Sequence, residues 1–152
     1  METVSKFCKI DLSKISYKLE NYPYAVEIKY NEIQYHWPQI NKIYKQYCEY
    51  KNFDSVMPLW WNQFTNPEYK TIVYFDNDEL VAWTLLRKLD DENIESWQFA
   101  WNYQKPDLRL GIKSIEFESA YFKEKHFKYL WLGYPDDYKY EIQGFELVGK
   151  LS

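Results

Sequence analysis

The sequence predicts a mixed fold of α/β (α+β) class: a mostly antiparallel sheet with one parallel strand pair and flanking helices. Three observations predict it. From Tyr69 to Trp101 apolar and polar residues alternate with a period of two, interrupted by two polar turns. From about Leu110 to Lys125 apolar residues recur at three- and four-residue steps, which is the period of a helix. The segment KYLWLGY, Lys128 to Tyr134, then returns to a strand pattern. A strand, a helix and a second strand in succession place the two strands parallel.

The remaining elements follow from the same rules. Lys6 to Leu12, with the run FCKIDL, and AVEIKY, Ala25 to Tyr30, read as short strands, the second alternating apolar and charged side chains. Ile33, Trp37, Ile40, Ile43 or Tyr44, and Tyr47 recur at helical spacing, with Pro38 expected in the first turn, where a missing N–H costs nothing. Met57 to Phe64 reads as a short helix with Pro58 near its start. YKTIVYF, the turn Asp76-Asn77-Asp78 and ELVAWTLLRKL form a hairpin. The turn Asp90 to Asn93 leads into IESWQFAW, Ile94 to Trp101, which completes a three-strand meander. Leu108, Ile112, Ile115, Phe122 and His126 mark one face of the following helix. Tyr138 to Val148 reads as a last hairpin-like pair around Gly144. No repeat, linker or low-complexity run interrupts the chain, so residues 1–152 read as one domain.

Composition excludes several classes. The chain has 152 residues, 46% of them hydrophobic and 21% aromatic, too apolar for disorder. Sixteen Tyr, seven Trp and nine Phe fit a core of large amphipathic rings, or a stacking platform for bases or sugars. A net charge of −4 argues against gripping duplex DNA, because phosphate neutralisation dominates such affinity. Cys8 and Cys48 lie in no CxxC or Cys/His cluster, and the N-terminus shows no apolar run. No stretch approaches the ~20 apolar residues that span a bilayer. The expectation is a soluble, cytoplasmic protein with reduced thiols and no membrane partner. The acidic groups in the turns, Asp76, Asp78, Asp90, Asp91, Glu92, Asp136 and Asp137, read as turn formers rather than metal ligands.

Chemistry concentrates in residues 95–134. A helix N-terminus offers unpartnered N–H groups and the positive end of the helix dipole. Gly111 gives an anion close access to that backbone, and Arg109 and Lys113 flank it with two cationic donors. The competing reading is that Gly111 only lets the helix pack closely on the sheet.

These residues resemble the GNAT acyltransferase superfamily, whose core is a strand, a glycine-bearing turn, a helix and a parallel strand. The pattern stands here as Arg109-Leu110-Gly111-Ile112 with Gln104 upstream. Lys113 holds the place of the usual second glycine. Residues 94–145 are also similar to the GNAT-like C-terminal half of the arginyl- and leucyl-tRNA–protein transferases. Trp97, Phe99, Trp101, Pro106, Asp107, Leu110, Gly111, the run Tyr129 to Tyr134, and Tyr138-Lys139 carry that likeness. The resemblance implies a GNAT-like domain acting as an N-acyltransferase, with direct attack of an amine on a thioester or ester. It implies a donor, acyl-CoA (acetyl-CoA) or an aminoacyl-tRNA, held by Phe99, Trp101, Arg109, Leu110, Gly111, Ile112 and Lys113, with no metal. It further implies an oxyanion donor among the backbone N–H groups of strand 94–101 and a tyrosine acid, for which Tyr134 is the candidate. Glu95, Gln98, Glu116 and Glu118 are weak candidates for a base, since carboxylates are usually solvated. His126 is expected to pair with carbonyls at the helix end. The alternative from another class is a catalytically idle GNAT-fold module that binds a protein or nucleic acid through its aromatics. An open cleft where strands 94–101 and 128–133 separate favours the enzyme, and a side-chain-filled gap favours the module.

Overall fold

The computed structural model describes residues 5–52 and 59–151. Seven strands form one sheet: β1 (Ser5–Asp11), β2 (Ala25–Ile28), β3 (Tyr69–Asp76), β4 (Glu79–Lys88), β5 (Asn93–Trp101), β6 (Tyr129–Gly133) and β7 (Phe145–Leu151). Their order across the sheet is β2-β3-β4-β5-β6-β1-β7. Every neighbouring pair is antiparallel except β5 and β6, which are parallel and joined by a helix. The fold class read from the sequence is the one observed.

Helix α1 (Ile33–Lys51) covers one face and α3 (Leu110–Glu124) covers the other; the short α2 (Trp61–Phe64) lies against β3. Because both faces are covered, the central strand β4 is buried from Leu80 to Leu86 and reads as a continuous run rather than an alternation. Ile33, Ile40 and Ile43 of α1 pack with Val73, Trp83, Leu85 and Ala100, and the Trp83 indole donates to the Ile40 carbonyl at 3.0 Å. Ile115, Phe117, Ala120 and Phe122 of α3 pack with Ile72, Tyr74, Ala82, Leu86 and Ile94. Much of the aromatic load is core: Trp83, Tyr74, Phe64 and Phe122 are among the largest fully buried side chains.

Two local expectations are corrected. Pro38 is not in the first turn of α1. The helix begins at Ile33, so Pro38 stands inside it and removes the N–H that would meet the Gln34 carbonyl. Burial of Ile33 extends the helix back past the proline. Residues 138–148 form no hairpin: 137–141 is a 3-10 turn, and β7 pairs with β1 instead. Gly144 makes the entry into β7, at φ +76, pressed against Asp11 so closely that a Cβ would lie 2.5 Å from the Asp11 carbonyl oxygen. The expected helix from Met57 falls outside the described residues at Met57 and Pro58; its described part is α2. Cys8 and Cys48 are free thiols. Among the described residues no helix is long and apolar enough to cross a membrane.

Candidate functional site

The site begins where the parallel pair separates. β5 and β6 are in register only over Asn93–Tyr129, Ile94–Leu130 and Glu95–Trp131. On its other edge β5 pairs Ser96 with Leu86 and Gln98 with Leu85, which leaves Trp97 as an extra residue. Such a bulge increases the local twist and re-aims backbone groups. The edge of β5 that faces β6 is therefore unpaired beyond Glu95. The gap is an open cavity of about 220 Å³, lined by Ser96 to Phe99, Leu132, Thr84, Gly111, Ser114, Glu118 and Tyr138 among others.

A second hollow of about 700 Å³ adjoins it, sharing Tyr47, Phe99, Gly111, Asp136 and Tyr138 with the first. Its other walls include Lys51, Trp101, Arg109, Leu110 and Ile112. The N-terminus of α3 opens into it. Arg109 is the cap residue, in the left-handed region at φ 51, ψ 43, and its carbonyl accepts the first helical bond from Lys113 N–H at 3.0 Å. The N–H groups of Leu110, Gly111 and Ile112 are the ones a helix leaves over, and no side chain caps them. The exposed Arg109 has no acidic partner among the described residues. A Cβ on Gly111 would meet the Tyr138 ring at 3.7 Å and no atom of the sheet. Gly111 therefore faces the cavity, and close packing on the sheet is not what it provides.

The inner wall is polar. Glu118 is 1% exposed, and one carboxyl oxygen, Oε2, accepts from Tyr74 Oη at 2.5 Å and Thr84 Oγ1 at 2.8 Å. Burial pushes its carboxyl up to about 7, against the pull of both hydroxyl donors. Burial and the charge of Asp136 drive the Tyr138 phenol upward, so it stays a proton donor at neutral pH. Lys139, itself buried, pairs with Asp136 at 3.0 Å and donates to the carbonyls of Tyr134 at 2.7 Å and Leu132 at 3.2 Å. It thereby fixes the end of β6 and holds Asp136 beside the cavity. Among the described residues no group of three His, Cys, Asp or Glu is placed to hold a metal.

Six of the seven expected donor-binding residues, Phe99, Trp101, Arg109, Leu110, Gly111 and Ile112, line one hollow. Lys113 stands apart, turned to Glu116 at 3.7 Å. Tyr134 follows the left-handed Gly133, is 72% exposed and lies on neither cavity wall. Tyr138, four residues on, lines both hollows, as does Tyr47 of α1. Glu95 pairs with Arg87 at 2.7 Å, and Glu116 accepts from Tyr22 at 2.9 Å. His126 occupies the left-handed residue past α3, where its backbone N–H, not its imidazole, is the group that donates to the Lys123 carbonyl, at 3.0 Å. Sequence reasoning gave Glu118 only as a weak candidate base and Asp136 only as a turn former, and it did not single out Tyr47 or Lys51 for the site. The one available signal was a carboxylate at position 118 amid the small and apolar run Phe117, Ser119, Ala120, a face too apolar for a solvated charge.

No protein-family model and no curated protein matches the sequence. Solved structures do. The C-terminal domain of a protein assigned as a lysylphosphatidylglycerol synthetase from Agrobacterium fabrum aligns over 86% of this chain and 46% of its own, with TM-score 0.62 and 8% identity. An aminoglycoside acetyltransferase from an uncultured soil sample, solved with sisomicin, aligns over 80% of this chain and 84% of its own, with TM-score 0.60 and 13% identity. A protein from Novosphingobium aromaticivorans assigned to the GNAT family of acetyltransferases aligns over 99% of this chain and 66% of its own, with TM-score 0.61 and 15% identity. The chain thus spans about half the length of the first of these. The likeness defines the fold: a GNAT-type α/β sheet with its single parallel pair splayed.

Proposed function

We propose that the protein is an N-acyltransferase that moves an acyl group from acyl-CoA to an amine. The observation that carries this is the open cleft between β5 and β6, with the uncapped start of α3 at its mouth beside Arg109, which has no acidic partner among the described residues. The N–H groups of Leu110 to Ile112 and the guanidinium of Arg109 suit a pyrophosphate, and Phe99 and Trp101 flank the route inward. The acyl carbonyl would lie along the unpaired edge of β5 at the bulge, where a backbone N–H meets the developing oxyanion. The amine nitrogen attacks that carbon and the C–S bond breaks; the thiolate takes a proton from a phenol, and the proton the amine gives up passes through water to restore that phenol. Tyr138 is better placed for this than the exposed Tyr134. Holding donor and amine together supplies several kcal/mol of barrier lowering.

An aminoacyl-tRNA donor is the second reading, supported by the polar inner wall; the resemblance of residues 94–145 to the arginyl- and leucyl-tRNA–protein transferases is an expectation from the sequence alone. The net charge of −4 weighs against it. A single soluble domain without resident metal is part of the same proposal. Calorimetric titration with acetyl-CoA, and separately with charged tRNA, decides the donor. Binding of acetyl-CoA is the expected result, and a folded protein that binds neither sinks the enzyme reading in favour of an idle module. Tyr138→Phe should lower turnover at least tenfold with donor affinity kept, and Tyr134→Phe should not.

A further inference from the structure

We propose that the inner cavity is a binding site for a substrate ammonium group, with Glu118 as its counter-ion; the placement of the donor beside it rests on the acyl-transfer reading above. Two observations carry the inference. The first is hydrogen-bonding inventory. Both hydroxyl donors that reach Glu118 go to Oε2, and Oε1 has no partner among the described residues although the side chain is 1% exposed and lines the cavity. Gln98, on the same wall, has a buried side-chain oxygen that also lacks a partner there. Two unmet acceptors on one cavity call for a ligand that donates several hydrogen bonds, as an ammonium does.

The second is charge. The charged side chains lining this cavity are Glu118, Asp136 and Lys139. Lys139 and Asp136 neutralise each other at 3.0 Å. Glu118, once ionised, is left as the one uncompensated charge among the described residues on that wall. A buried carboxylate without a cation is costly, and pairing with a hydrogen-bonded cation offsets much of that cost. The cavity of about 220 Å³ has room for a chain of roughly seven heavy atoms at the ~30 Å³ a water occupies in the liquid. A bare acetyl group would leave most of it empty and all its acceptors unmet.

The ammonium has two possible sources: the acyl group of the donor, as in an aminoacyl thioester, or the acceptor amine before it loses its proton. Two measurements separate them. Calorimetry compares β-alanyl-CoA with butyryl-CoA, whose acyl chains match in length and differ in the terminal charge. A preference of tenfold or more for β-alanyl-CoA, lost in Glu118→Gln while butyryl-CoA affinity is kept, assigns the site to the donor. Propylammonium chloride against propan-1-ol, followed by amide NMR shifts, reads the site with no donor present. Binding of the cation alone, lost in Glu118→Gln and accompanied by no preference between the two thioesters, assigns it to the acceptor.

If Glu118→Gln does not fold, the intact protein decides by pH. Of the groups facing Glu118, Tyr74, Tyr47 and Tyr138 are phenols driven upward by burial, and Asp136 and Lys139 are paired. Cation affinity should then rise about tenfold from pH 6 to pH 8 as the carboxyl ionises. Two cations that bind no better than their neutral counterparts overturn the proposal, as does a preference that survives Glu118→Gln or is flat with pH. Failure of butyryl-CoA itself to bind counts against the acyl-CoA reading, and the propylammonium measurement still decides the site.

Discussion

Gly111 and Gly144 show how one residue type serves two purposes here, and paired alanine substitutions separate them. At Gly144 the positive φ and the 2.5 Å approach to Asp11 backbone leave no room for a methyl group. Gly144→Ala should cost more than ~2 kcal/mol, seen as a lowered urea midpoint with an unchanged slope. At Gly111 the helix is ordinary and the nearest atom to a Cβ is the Tyr138 ring at 3.7 Å. Gly111→Ala should leave the fold intact, or stabilise it by about 0.5–1 kcal/mol through helix propensity. The same methyl stands where an anion would approach the free N–H groups, so acetyl-CoA affinity should fall at least tenfold in calorimetry. A matched loss of stability and affinity would instead mean that Gly111 is a packing residue.

At the scale of elements, Pro38 is the local contradiction that the tertiary structure overrides. It removes one hydrogen bond from the second turn of α1, yet burial of Ile33 on the sheet holds that turn together. Pro38 is exposed, so Pro38→Ala changes little besides the backbone. It should stabilise the fold by about 1–3 kcal/mol, measured by urea unfolding. The other elements were readable for opposite reasons. β3, β4 and the hairpin at Asn77, a left-handed residue at φ 56, follow from apolar runs bounded by turn chemistry rather than from the expected alternation, because both faces of these strands are covered. The start of α3 was readable because a glycine and flanking cations announce it. β7 was not, since its partner is β1 at the far end of the chain, and pairing at that separation leaves no local pattern. Glu118 stood only as a weak candidate base and Tyr138 only as part of the family likeness, and their roles were not legible for a related reason. Their chemistry depends on which strands lie opposite, and a carboxylate on a helix or one of sixteen tyrosines carries no mark of that.

For the whole molecule, the same buried carboxylate sets how stability depends on pH. Glu118 has a folded-state value of about 7 against an ordinary 4.5. Below pH 4.5 it is protonated in both states and contributes nothing to the pH slope. Between 4.5 and 7 the unfolded chain ionises while the folded protein keeps the proton, so the unfolded state binds fewer protons and stability falls as pH rises. The loss is complete above pH 7 and amounts to about 3 kcal/mol. Asp11 and Asp90 act in the opposite sense and in another window. Hydrogen bonds from Ser13 and Asn93 hold them below the usual carboxylate range, so what they contribute is lost only as pH falls through that lower range. Stability should therefore peak near pH 4.5–5 and decline toward pH 8, measured by chemical denaturation across that range. Glu118→Gln should flatten the decline above pH 4.5 and leave the acid limb in place. A decline that persists in the variant would place its origin in another group, and a wild-type profile level from pH 5 to 8 would mean that Glu118 ionises as freely inside the fold as outside it.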